Sequence, residues 1–363
     1  MSDPKPTTAP SSNKSNTSIF YFGFYGLELT DEASDIWLFG DAGIVPKSSA
    51  PQEGVASALI RTYHLHPAIL EKWGNKFTEA INDFSNVPVN SYIVVKNRTT
   101  SDDSNPVSGE NKARIRAKEI SSLLGCVLYF SPEGPFAAGL EGEILHWYTK
   151  SFEVGEDKSI CHLGQAGPPE PLQDRTAYAL SNNELRKKLY SQEFDQLTRI
   201  FDGREKISSS NLAKVVRASC NRVAEAIRST SYTGELLSAY TAVDMLLDTA
   251  SKDHYERRLS MLIGEDEALA YRASEVAKAR NAIMHRGEGT DNIRALQAIA
   301  LALDAVINAA AMAKEIGNSS ELQTLLDIQI LRRRLNSVLN DPVHPAELIS
   351  KINLKTPYFR NKY

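Results

Sequence analysis

Arg280-Asn281-Ala282-Ile283-Met284-His285-Arg286-Gly287 closes a long amphipathic stretch and decides how the second half of the chain reads. On a 3.6-residue period, the apolar side of the segment from Glu265 to Met284 carries Leu269, Ala273, Val276, Arg280 and Ile283. The pattern predicts one helix, stopped by Gly287 with Gly289 behind it. Arg280 therefore falls on the stripe expected to be buried. A guanidinium there is costly unless something pairs with it, so the position calls for a protein partner, a phosphate or a second subunit.

Working outward, the same period continues on both sides. Asp291 to Ile316 is an Ala-rich helix with Ile293, Leu296, Ile299, Leu303, Val306 and Ile307 expected inward, and a final helix opens with Ser320 and Gln323 in capping-box spacing. Upstream, Leu212, Val215, Val216, Val223 and Ile227 mark one stripe. Leu236, Tyr240, Val243 and Leu247 mark the next, and Leu259, Leu262 and Ile263 form a short helix that Gly264 ends. Helices from about Ser191, joined by short connections, predict an all-α antiparallel bundle over 190–340.

The first half has a different rhythm and reads as mixed α/β over 19–175, so the whole chain is expected to be α+β. Ile19 to Leu29 is an aromatic run, and Asp35 to Phe39 leads into the turn signal Gly40-Asp41-Ala42-Gly43. Val89 to Lys96 is a β-branched strand candidate. A helix is expected at Lys112 to Leu124, then strands at Cys126 to Phe130 and at Glu143 to Tyr148. Gly164 to Leu172, rich in Pro and Gly, reads as the exit from this half. Residues 1–18 are polar and lack the apolar core of a signal peptide, which reads as a flexible tail. His64 and His66 lack a third ligand, and Glu143 and His146 stand too isolated for acid–base work.

Composition narrows the class. At 42% hydrophobic and 24% charged the chain is ordinary for a soluble globular protein, and no apolar run is expected to span a membrane. Cys126, Cys161 and Cys220 are unclustered, which fits free thiols in a reducing cytoplasm and neither a disulfide framework nor a zinc site. A net charge of −4 excludes binding to nucleic acid through bulk charge. The local exception is the end, where Leu331 to Tyr363 holds seven Lys/Arg against two acids; 341–363 reads as a basic tail suited to phosphate backbone or to solvent. No cofactor and no metal are expected.

Four ordered pieces resemble the HEPN superfamily, specifically its Apea-like group in prokaryotes. They are Ala239-Tyr240-Thr241-Ala242-Val243-Asp244-Met245-Leu246-Leu247, the short segment Glu256-Arg257-Arg258-Leu259-Ser260-Met261-Leu262, the R-x4-H signature Arg280 to His285 with Asn281 after the arginine, and a long closing helix. Together they cover about 210–317. Asp244 stands where a Glu is commoner, Arg286 intervenes before Gly287, and no Tyr follows at the second position after His285. That last departure argues against pairing with a nucleotidyltransferase.

The resemblance implies metal-independent cleavage of RNA, with Arg280, Asn281 and His285 at the site and Asp244 and Arg286 in support. The residue types suit that chemistry. Histidine titrates near neutrality and can transfer protons. Arginine offers a permanent charge in a fork matched to phosphate oxygens. Asn281 and His285, four apart, share a helical face, so the amide is placed to orient the imidazole or to bind phosphate. Arg280 and His285 are about 140° apart on an ideal helix. One helix presents them poorly to a single phosphate, and the resemblance implies a homodimer in which two such helices face each other. It also implies an anti-phage role, with the first half sensing an unknown trigger. Two alternatives stay open: a bundle that only binds RNA, nucleotide or protein, and a structural module with Arg280 paired to Asp244.

Overall fold

The computed structural model describes residues 17–24, 27–30, 37–49, 91–98, 106–129, 147–154, 160–163, 178–229, 231–248 and 252–339. The aromatic run at the start becomes β1 (Thr17–Phe24), the middle strand of a five-stranded sheet. With β3 (Ala42–Pro46), β4 (Ser91–Arg98), β5 (Trp147–Val154) and β6 (Ile160–Leu163) the order is β3-β4-β1-β5-β6, every pairing antiparallel. A separate parallel pair joins β2 (Leu27–Leu29) to β7 (Tyr178–Leu180). Alternation sends Phe20, Phe22 and Phe24 to one face with Ile44, Ile93 and Val95, all buried in the main core. Tyr21 and Tyr92 meet edge-on across the strands, with ring centroids 6.0 Å apart.

The helix α1 (Pro106–Tyr129) covers the sheet and corrects one sequence expectation. Cys126 to Phe130 reads as a buried strand, but the helix runs on through Tyr129. Every side chain from Ile120 to Leu124 and from Cys126 to Tyr129 is buried. A short apolar run enclosed on all sides looks the same whichever regular structure it adopts. A second correction lies at 37–41. These residues form the turn itself, with Gly40 at φ +78, and β3 begins inside the glycine-rich punctuation. The expected strand from Glu143 overlaps β5 only from Trp147, and the sequence before it lies outside the described residues, as do residues 1–16 of the expected tail, His64, His66 and the Pro/Gly-rich exit; residues 17 and 18, expected in the tail, belong to β1.

From Asn182 onward every regular element among the described residues is helical: α2 (Asn182–Leu189), α3 (Asp195–Phe201), α4 (Asn211–Ile227), α5 (Tyr232–Leu247), α6 (Lys252–Ile263), α7 (Glu265–Ala270), α8 (Ala273–Arg286), α9 (Asn292–Met312) and α10 (Ser319–Leu339). Their starts follow from capping residues. Ser181 with Glu184 forms a complete capping box, and Ser210, Ser231 and Asp291 each accept a backbone N–H three residues on. The last helix departs from the spacing signal at Ser320 and Gln323. Asn318 Oδ1 takes the Glu321 N–H at 2.8 Å and the Ser320 hydroxyl at 2.6 Å instead.

Helix α9 packs against α3, α4, α5, α6 and α8 and is the centre of the bundle. By length and composition alone it would reach across a bilayer, contrary to the sequence expectation. Its apolar surface instead goes into the bundle, with Ala295, Ile299, Leu303, Val306 and Ile307 buried. Ile293, expected inward, is 68% exposed because the inward face begins only at Ala295.

One cluster of buried side chains runs from Phe20 in the sheet to Leu326 in α10. Its seam is the α1–α4 contact. Lys118 pairs with Glu225 at 3.0 Å and Arg217 with Glu119 at 3.4 Å. Arg228 donates to Ser121 Oγ at 2.6 Å and Ser121 O at 3.1 Å. The free thiols of Cys126 and Cys220 lie 3.6 Å apart. The hydrogen bond with Cys126, with burial added, pushes the Cys220 thiol well above its ordinary pKa. Burial lowers that of Arg228.

Candidate functional site

The proposed long helix over Glu265 to Met284 is two helices. The chain breaks at Tyr271–Arg272, where Arg272 takes a left-handed φ of 52. Leu269 consequently sits on α7 and is 78% exposed, while the buried stripe of α8 starts at Ala273 and continues through Val276 and Ala277. Arg280 and Ile283 complete that stripe half-buried. The break sets the direction of α8 independently of the helix before it, and so sets where Arg280 points.

The far end of α8 is closed as the sequence predicts. Gly287 adopts φ +66 and donates to Ile283 O at 3.0 Å, and Glu288 N reaches Ala282 O at 3.5 Å. An added Cβ at Gly287 would touch nothing within 4 Å, so the backbone angle alone demands glycine. His285 and Arg286 occupy the last turn, where the helix dipole favours positive charge. Both are exposed, and the Arg286 guanidinium pairs with Glu288.

Arg280 has neutral neighbours. Its Nη1 donates to Asn281 Oδ1 at 3.0 Å, and its Cζ lies 5.2 Å from the centre of the Tyr240 ring. That ring is in turn stacked on Tyr255, centroids 4.3 Å apart and planes within 9°. One sequence reading changes here: the Asn281 amide oxygen accepts from Arg280, and Arg280 bonds to Asn281 rather than forming the ion pair considered with Asp244. Asp244 is half-buried one turn beyond Tyr240 on α5. Burial pushes the Tyr255 phenol well above its ordinary pKa, with Tyr240 and the Asp244 carboxylate adding to the rise.

The structure thus holds Arg280 against Tyr240 of α5, brings it into contact with Asn281 and leaves His285 exposed. Sequence reasoning missed the tyrosine pair beneath Arg280. Tyr240, one turn before Asp244 on the same stripe, was the available signal. It also left Arg258 without a role. Arg258 forms a two-pronged pair with Asp327 of α10 at 2.9 and 2.7 Å, and also donates to Leu247 O and to Asp248 O, the latter at 2.9 Å. It ties α6 to α10 and to the end of α5.

Among the described residues no group of three His, Cys, Asp or Glu side chains is placed to hold a metal ion. The basic tail, 341–363, lies outside the described residues, as do Glu143 and His146. No family model, curated protein or solved structure matches this chain.

Proposed function

We propose that this protein is a metal-independent endoribonuclease of the HEPN type, in which Arg280, Asn281 and His285 act on a phosphodiester of RNA. The observation that carries the reading is the state of Arg280: a half-buried guanidinium whose partners among the described residues are neutral, at the end of a helix whose next turn bears an exposed histidine. Such a group keeps its charge for an incoming phosphate.

In the reaction the ribose 2′-oxygen bonds to the adjacent phosphorus and the bond to the 5′-oxygen breaks. The products are a 2′,3′-cyclic phosphate and a 5′-hydroxyl. His285 takes the proton off the 2′-hydroxyl and returns one to the leaving 5′-oxygen, and Arg280 carries the charge that builds on the phosphoryl oxygens. Because Arg280 faces α5 while His285 faces outward, the two are shared between copies of the chain in a homodimer. Met284 and Ile293, 56% and 68% exposed on the helices either side of the Gly287 turn, supply the apolar contact for that pairing. Following the same resemblance, we take the cleavage to serve prokaryotic defence against phage, with the sheet region answering a trigger.

The test is incubation of the purified protein with cellular RNA in EDTA, beside His285→Ala, with end-group analysis of the products. Cleavage that leaves cyclic phosphate and disappears in His285→Ala supports the reading. A requirement for divalent cation, or wild-type cleavage by His285→Ala, overturns it and leaves a binding module.

A further inference from the structure

We infer that Tyr240, backed by Tyr255, is a positioning residue for Arg280; this rests on the ribonuclease reading above for its role, though not for its geometry. A flexible arginine side chain must be held to be useful, because a charge that has to be gathered into place during the reaction contributes less than one already there. Asn281 alone cannot hold it. One hydrogen bond fixes a distance and a direction but leaves the guanidinium free to swing about that bond.

Tyr240 supplies the second constraint. Its ring lies beneath the guanidinium, with Cζ 5.2 Å from the ring centre, within the range of cation–π attraction. Tyr255, fully buried and nearly parallel at 4.3 Å, takes one face of Tyr240 and stops the ring from tilting. The guanidinium therefore rests on a platform anchored in the core rather than on a mobile surface ring. Neutral aromatic support has a further consequence. A carboxylate under Arg280 would cancel the charge that a phosphate is to meet, whereas a ring holds the cation and leaves the charge in place.

The experiment has two independent readouts. The first is the Nε–Hε resonance of Arg280 in ¹⁵N-labelled protein, identified by its loss in Arg280→Lys. A ring-current shift upfield is expected in the wild-type protein and in Tyr240→Phe, returning to the ordinary arginine position in Tyr240→Leu. The second is RNA cleavage. Tyr240→Leu is expected to lose about five- to thirtyfold in kcat, the rate equivalent of one desolvated cation–π contact, with KM little changed. Tyr240→Phe, which keeps the ring, recovers the rate.

An Arg280 resonance without a ring-current shift in the wild-type protein overturns the placement. A folded Tyr240→Leu that cleaves at the wild-type rate overturns the positioning role, as does Tyr240→Phe failing as badly as Tyr240→Leu. Wild-type protein that shows the shift but cleaves no RNA sinks the ribonuclease reading while leaving the platform intact. The shift is read in the wild-type fold, so poor folding of Tyr240→Leu does not block the test.

Discussion

Arg258 and Arg280 are both arginines on helices of the same bundle, each largely withdrawn from water, and they have opposite surroundings. Arg258 meets a carboxylate in a two-pronged pair and two backbone carbonyls at the end of α5. Its charge is consumed within the molecule, and it joins three helices. Arg280 meets an amide oxygen and an aromatic ring. The difference teaches that an arginine's role is read from the charge of its partners rather than from its burial: one guanidinium is a cross-link, the other is held but left unneutralised.

The sharpest way to break the comparison is kinetic. His285→Ala is expected to lower the cleavage rate by about 10²–10⁴-fold, the usual worth of a general acid or base. Because His285 is exposed, its thermal midpoint should not move. Arg280→Lys should lose most activity as well, keeping the charge but losing the fork and the flat stacking surface. If either variant melts early, the site is structural and the contrast with Arg258 collapses.

Arg258→Ala is expected to do the reverse. Removing it leaves the last carbonyls of α5 without their donor while Asp327, half exposed, turns to solvent, a loss of about 1–3 kcal/mol that comes mainly from the carbonyls. Denaturant titration should show that loss, and the folded fraction should still cleave RNA. A fall in rate per folded molecule would place Arg258 in the chemistry instead.

A smaller effect tests the turn that ends α8. Gly287→Ala meets no steric obstacle, so its cost is the left-handed backbone alone, about 1 kcal/mol. The same measurement on Gly289→Ala, also unobstructed, should give less, since no positive φ is found there. Equal losses would mean the cap does not set the end of the helix.

The smallest expected effect concerns pH. The hydrogen bond from Arg258 holds the Asp327 carboxyl below its ordinary value. A depressed folded value means stability that is present above the unfolded pKa of about 3.9 and lost as pH falls through the folded one. Asp327→Asn should therefore melt slightly lower than wild type at neutral pH and converge with it in strong acid. Asp327 is half exposed, so solvent screening keeps the contribution under about 1 kcal/mol. A gap that persists unchanged in acid would show that the pair is not the source.

Much of this was legible without coordinates. Period-3.6 stripes placed α4, α5, α6 and α9 and the inward side of α8, Gly264 and Gly287 marked two helix ends, and the aromatic and β-branched runs placed β1 and β4. These signals are local: a stripe, a cap and a turn residue act within a few positions of themselves. Where a reading failed, the deciding interaction was distant or the local signal was shared by two structures. Cys126 to Tyr129 is a short buried apolar run whose pattern fits a strand and a helix equally, and it continues α1. The break at Arg272 carries neither glycine nor proline to announce it.

Sequence alone determined that Arg280 lies on the inward stripe of a helix and that His285 lies at its end, since both follow from spacing. The tertiary structure alone decided what Arg280 meets. Tyr240 is 40 residues away on α5 and Tyr255 is on α6, and only the packing of α8 against both helices brings the ring beneath the guanidinium. The physical reason is that spacing fixes a side chain's direction about its own helix axis, while the partner it meets depends on how separate helices dock.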